Sequence, residues 1–255
     1  MSSKPGLVLV HGAWHSPSHW EIVTSKLRAE GYTVEVPALP SVAKVAAEDV
    51  FTKDVAAVKQ AIQNITKTGR NVVLVMHSYG GVCGSEAVAE VLEDSKASPD
   101  PTQGRIVHLL YVAAIIVEKG MSVQGAELSP HEWEVKENVI HHLNPQYRFY
   151  NTTSPQIAQS SISLMGPQAL QSFSTPTQYR GWADYDLPLT YIACLRDHAL
   201  WFEVEVAKFF QRIDEANVKD FTIVEISCDH SPWINSGQKE FFEALDGVLE
   251  KASKA

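Results

Sequence analysis

Two textures alternate along the chain. Short runs of consecutive apolar residues, such as Val72-Val73-Leu74-Val75 and Leu109-Leu110-Tyr111-Val112, are separated by longer stretches in which apolar positions recur every three or four residues. A continuous apolar run suits a strand covered on both faces, and the longer period suits a helix packed against such a strand. Strands are expected over residues 7–10, 33–36, 71–76, 106–113, 189–195 and 222–226. Helices are expected over 18–30, 46–65, 80–93, 201–212 and 236–251. Ser18 is placed to cap the first helix, and Gly31 to close it, because glycine adopts the left-handed conformation that ends helices. Strand–helix alternation of this kind predicts parallel βαβ units and a mainly parallel sheet flanked by helices, an α/β class of fold.

One segment breaks the rhythm. About 70 residues separate the fourth expected strand from the fifth, far more than a strand-to-helix connection needs. The stretch is rich in Pro, Gln, Ser and Trp, with helical pieces expected near 130–142, 155–164 and 166–173. It is expected to form an inserted helical cap, residues 117–186, over the carboxyl edge of a core made of 1–116 and 187–255. That edge is where open α/β sheets place their ligands.

The chemistry concentrates at such strand ends. The run Val72–Met76 leads into His77-Ser78-Tyr79-Gly80-Gly81 and then into a helix carrying small residues at Gly84, Ser85 and Ala87. A serine on a tight strand-to-helix turn has its hydroxyl lifted above the sheet, the setting of a nucleophile elbow. An ordinary β–Gly–α turn with an incidental serine is the alternative. Met76 stands two residues before the serine, where glycine is usual. A serine hydroxyl needs a base, and the base an orienting acid. In this order of elements the acid follows the penultimate strand and the base the last one. Asp197 and His230 occupy those positions, with His198 and Asp229 as competitors. An acyl-transfer site also needs donors for the developing oxyanion. The amide of Tyr79, next after the serine, is one. The other comes from His11-Gly12-Ala13-Trp14-His15 after the first strand, with Ala13 preferred and Trp14 the alternative. Gly12, Trp14 and His15 stand where a substrate would pass, and for His15 a structural hydrogen bond is an equal reading. Trp133 and Trp182 belong to an aromatic-rich cap. Packing onto the core and lining of the cleft are both open for them.

Composition trims the alternatives. The 255 residues carry a net charge of −9 and scattered basic residues, which disfavours nucleic acid and anionic membrane as partners. No apolar run reaches the roughly 18–20 residues that span a bilayer, and the first residues lack the apolar core of a signal peptide. Cys83, Cys194 and Cys228 cannot all pair, which fits buried thiols in a reducing compartment and hence a cytoplasmic protein. His11, His15 and His19 recur every four residues, but Gly12 and Pro17 interrupt the face and no ligand set is completed, so no metal is expected. No dinucleotide fingerprint or phosphate-binding loop is present, so no cofactor is expected.

Together, Val10-His11-Gly12-Ala13-Trp14-His15, the His77–Gly81 elbow, Tyr111-Val112-Ala113-Ala114, Tyr191–Asp197 and Asp229-His230 resemble the α/β-hydrolase superfamily. More narrowly, they resemble its plant methyl-esterase and hydroxynitrile-lyase-like branch with that branch's microbial relatives. The resemblance implies an α/β-hydrolase fold and a Ser78–His230–Asp197 triad acting without a cofactor. Hydroxynitrile lyases of the branch carry Thr at the position of Gly12 and Lys at that of Ser231. Their absence favours hydrolysis of a small-molecule carboxylic ester or lactone. A C–C bond hydrolase or lyase using the same triad, or a slow-turnover small-molecule receptor, is the alternative reading. Oligomeric state is open, a homodimer included.

Overall fold

The computed structural model describes residues 4–42, 48–126, 128 and 133–255. In chain order the elements are β1 (Gly6–Val10), α1 (Glu21–Ala29), β2 (Val34–Glu35), α2 (Val50–Thr66), β3 (Val72–His77), α3 (Gly80–Ala97) and β4 (Ile106–Val112). There follow β5 (Trp133–Lys136), β6 (Val139–His142), α4 (Pro145–Phe149), α5 (Pro155–Ser163), β7 (Gln168–Ala169), α6 (Gln171–Ser174), β8 (Leu189–Cys194), α7 (Ala207–Glu215), β9 (Phe221–Ile226) and α8 (Gln238–Ala252).

Six strands form one parallel sheet in the order β2-β1-β3-β4-β8-β9. β1, β3, β4 and β8 are buried along their whole length, as their unbroken apolar runs require. β9, at the edge, is only partly covered. One core lies between the sheet and α2, α3 and the inserted segment. The other lies between the sheet and α1 and α8, around Trp20, Trp233 and Phe241. The order of strands reverses around β1 and β3, and the carboxyl ends of these two strands open into the crevice that receives ligands in such sheets.

Element ends follow local chemistry. Gly31 stands at φ 82, Tyr32 N–H donates to Leu27 O and Gly31 N–H to Arg28 O, so α1 ends in a Schellman motif. The expected start at Ser18 is shifted. A 3₁₀ turn over Pro17–Trp20, entered from Ser16, precedes the α-helix, because Pro17 suits a first helical position. The start expected for α2, residues 46 and 47, lies outside the described residues. Trp201–Val206 makes a π turn before α7, closed by Val206 N–H donating to Trp201 O and capped by Glu205 accepting from Trp201 N–H.

The inserted segment is not purely helical. α5 forms as expected, but residues 133–142, expected as part of a helix, make a hairpin of β5 and β6, and β7 adds a third antiparallel strand. Residues 130–132 of that expected helix lie outside the described residues. Glu137 at φ 51 and Asn138 at φ 62 form the two-residue turn of the hairpin. Among the described residues no helix is long and apolar enough to cross a membrane.

Candidate active site

Ser78 lies between the last residue of β3 and the first of α3, with φ 53. A non-glycine residue there is strained and needs a surrounding frame to hold it. Its amide donates to Val112 O at 3.3 Å, and its carbonyl accepts from the amides of Gly81 and Ile115, both at 3.0 Å. Gly80 and Gly81 let α3 begin hard against the sheet. A Cβ at Gly80 would lie 2.8 Å from Val10 O, and one at Gly81 2.6 Å from Ile115 O. Met76 keeps its bulk out of the turn. Its fully buried side chain runs along α3 over Gly84, where a Cβ would lie 2.5 Å from Met76 Sδ.

The ends of β8 and β9 bring Asp197 and His230 together. Arg196 N–H donates to Cys228 O, tying the two exits side by side. His230 Nδ1 lies 2.6 Å from Asp197 Oδ2, while Asp197 Oδ1 accepts from the amides of Ala199 and Leu200 at 2.7 and 3.2 Å. The carboxylate is thus fixed from three sides. Asp229 is engaged elsewhere. Its oxygens accept from Thr152, Thr153, Ser231 and Asn235. His198 packs between Tyr147 and Trp201, with Nδ1 on Tyr147 O. His230 is fully buried, and its Nε2 has no hydrogen-bond partner among the described residues. His77 Nε2 donates to His230 O at 2.9 Å, which holds the His230 backbone against the strand that leads to Ser78.

The loop after β1 supplies amides. A Cβ on Gly12 would come within 2.8 Å of Ser78 Cβ and 3.3 Å of its Oγ, so only glycine lets the loop approach the serine this closely. The amides of Ala13 and Tyr79, both buried, have no protein acceptor among the described residues. Trp14 N–H, the alternative donor, is taken by Gln168 Oε1 at 3.1 Å. His15 does not line the cavity. It bridges Ala13 O, at 2.7 Å, and Tyr150 OH, at 2.9 Å.

Ser78, Tyr79, Ala13 and Trp14 line a cavity walled by Ile115, Val123, Leu128, Trp133, Phe149, Phe173, Ala199 and Leu200. Among the described lining residues there is no carboxylate, amine, guanidinium or imidazole. Phe149 carries the cavity toward His230, the two ring centroids 5.5 Å apart. Trp133 is therefore a wall. Trp182 is not: it is buried in the core and its indole N–H donates to Val117 O at 2.9 Å. Behind the loop, the rings of His15 and His19 lie 4.5 Å apart, as do those of His77 and His230. Burial pushes His11 down to about 4 and His15 and His77 well below the usual imidazole range, so these rings are neutral.

Residues 7–244 match the model of the alpha/beta hydrolase family. The chain belongs to that family. A relative within it, the alpha/beta hydrolase nvfD of Aspergillus novofumigatus, is 31% identical over 240 residues, covering 91% of this chain and 92% of the relative. Solved structures share the fold at lower identity. A methylesterase from Arabidopsis superposes with a TM-score of 0.70 at 19% identity, covering 96% of this chain and 98% of its own. A pyrethroid hydrolase from Sphingobium faniae does so with 0.73 at 17%, covering 98% and 99%. Gln168, Tyr150 and His77 escaped sequence reasoning. Each acts through a partner 135 or more positions away, and no local pattern marks such a contact.

Proposed function

We propose that this chain is a serine hydrolase that cleaves a small, uncharged carboxylic ester or lactone, with Ser78 as nucleophile, His230 as base and Asp197 as its orienting acid. The observation that carries the reading is the buried His230–Asp197 contact of 2.6 Å, which leaves His230 Nε2 unpartnered behind the cavity that Ser78 lines. With Nδ1 bound to the carboxylate, the proton sits on Nδ1 and the lone pair on Nε2 is free to accept. In this reading Ser78 Oγ attacks the carbonyl carbon as its proton passes to Nε2. Asp197 steadies the imidazolium. The amides of Ala13 and Tyr79 donate to the oxyanion, worth about 3 kcal/mol per donor at the transition state. Collapse expels the alcohol, which takes the proton from His230, and water repeats the sequence on the acyl-enzyme.

The described lining residues supply no charged partner, which supports an apolar substrate. Two structural neighbours, a methylesterase and a pyrethroid hydrolase, are consistent with ester cleavage. We read residues 117–186 as a cap that supplies Val123, Leu128, Trp133, Phe149 and Phe173 to the acyl or alcohol site. Cys83, Cys194 and Cys228 are free and buried, which supports a reducing, cytoplasmic setting.

The test joins labelling to turnover. A fluorophosphonate should label Ser78 alone, and Ser78→Ala and His230→Ala should each lower p-nitrophenyl ester kcat by at least about 10³-fold, while His198→Ala stays near wild type. Labelling of another serine, or full turnover by Ser78→Ala, would overturn the assignment.

A further inference from the structure

The loop after β1 can donate to an oxyanion only if one peptide is held with its N–H toward Ser78. The structure shows what holds it. Leu39 N–H donates to His11 Nε2 at 3.1 Å, so the His11 proton is on Nδ1, which donates to Gly12 O at 2.9 Å. The Gly12 carbonyl also accepts from His15 N–H at 3.3 Å. In a trans peptide the C=O and the following N–H point in opposite directions. Pinning Gly12 O on one side therefore turns Ala13 N–H to the other. The next peptide is gripped at both ends. Its carbonyl, Ala13 O, accepts from His15 Nδ1, and its N–H, on Trp14, donates to Gln168 Oε1.

The Trp14 grip comes from far along the chain. Gln168 is fully buried on β7, and its Nε2 donates to Ser172 Oγ at 2.7 Å, which donates in turn to Ala169 O. Trp14 itself stands at φ 61, a conformation that disfavours a bulky residue, and two more bonds tie it to the same segment. Its indole N–H donates to Ile140 O at 3.1 Å, and its carbonyl accepts from Gly166 N–H at 2.9 Å. A strained residue persists when its surroundings over-determine it, and here those surroundings are the inserted segment.

We propose that Gln168 is a positioning residue for the oxyanion site: by holding Trp14 N–H it keeps the left-handed turn and leaves Ala13 N–H as the amide that faces Ser78. This rests on the hydrolase reading above. The small sheet of the inserted segment then does more than wall the cavity. It sets the geometry of the transition-state donor.

Gln168→Met removes both amide hydrogen bonds at nearly constant volume. Gln168→Glu keeps the shape, and in this buried position a protonated carboxyl can accept from Trp14 and donate to Ser172. For Gln168→Met, p-nitrophenyl ester kcat should fall about 10- to 100-fold, with KM changed by less than about threefold. Affinity for an aryl trifluoromethyl ketone, whose adduct carries the oxyanion, should fall in step. Gln168→Glu should recover to within about fivefold of wild type. Should Gln168→Met fail to fold, Ser172→Ala, which frees the Gln168 amide, should show a smaller loss of the same kind.

Unchanged kcat in Gln168→Met, a loss confined to KM, or Gln168→Glu as impaired as Gln168→Met would overturn the inference. So would unchanged ketone affinity in Ser172→Ala where the Met variant is unfolded. Wild-type protein without ester turnover or Ser78 labelling would instead remove the hydrolase reading, and this inference with it.

Discussion

At Ser78 the backbone stands at φ 53 although the residue has a Cβ, so folding holds a residue that would relax elsewhere. Glycine pays no such steric penalty, while alanine does. Ser78→Gly should therefore be more stable than Ser78→Ala by about 1 kcal/mol in urea unfolding, with both inactive. Equal stabilities, or alanine above glycine, would mean that the turn is not strained. The same scale shows what a sequence can carry. Ser78, Asp197 and His230 each follow an apolar run that ends abruptly, so their strand-end positions were legible, and the order of the runs predicted which carboxylate would lie beside which imidazole. The choice of Asp197 over Asp229 rested on the order of the strands and on how rarely loop neighbours orient each other's side chains, and the structure engages Asp229 with Thr152, Thr153 and Asn235. Gln168 was not legible. A lone glutamine carries no periodicity, and its contact spans 154 positions.

Between elements, the unusual Met76 is matched by Gly84 on the facing turn of α3. Ala at an ordinary helix position gains about 1 kcal/mol over Gly. At Gly84 the new methyl would press on Met76 Sδ in a closed core, a cost of about 1–3 kcal/mol. Gly84→Ala should accordingly be neutral to destabilising in wild type, but stabilising by comparison in a Met76→Ala background, where the space is open. A double-mutant cycle should give a coupling of at least about 1 kcal/mol, and additive effects would show that the two side chains do not compete. Elements also mark where sequence reading stopped. Fully covered strands announce themselves because every position must be apolar. The β5–β6 hairpin did not. Its outward residues Glu134, Lys136 and Glu137 are good helix formers, and its turn is built from Glu137 and Asn138 rather than the Asn-Gly or Asp-Gly pairs that signal such turns. Its pairing with β7 and its contact with Trp14 decided the conformation, and both are non-local.

Across the whole molecule, buried ionisable groups set how stability responds to acid. Burial, aided by neighbouring imidazoles around the active-site loop, depresses His11 to about 4, His15 and His77 well below 6.5, and His19 below it. His108, bonded to Thr190 between β4 and β8, is also lowered to about 4. In the unfolded chain all five take up protons below about 6.5, and in the folded chain they resist, so each withdraws stability as pH falls from about 6.5 toward 4. Asp54 acts in the opposite sense. Held by Ser41 N–H and Tyr79 O–H, it is raised by burial to about 6. Between about 6 and 4 the folded state keeps a proton that the unfolded chain has released, so acid favours folding through this group, as it does through Glu86, whose carboxyl burial also raises. The five lowered imidazoles outnumber the two raised carboxyls, so unfolding near pH 5.5 takes up protons and stability falls with acid. Urea midpoints should therefore hold from pH 8 to 7 and drop between 6.5 and 5. Asp54→Asn separates the two contributions. It removes a buried charge at pH 8, where it should gain on the order of 2–3 kcal/mol, and its curve should fall more steeply on acidification until the gain vanishes near pH 4. Midpoints that stay level from pH 7.5 to 5.5 would mean that the folded histidines take up protons as readily as unfolded ones. A gain for Asp54→Asn that persists unchanged at pH 4 would mean that the carboxyl was not ionised at pH 8.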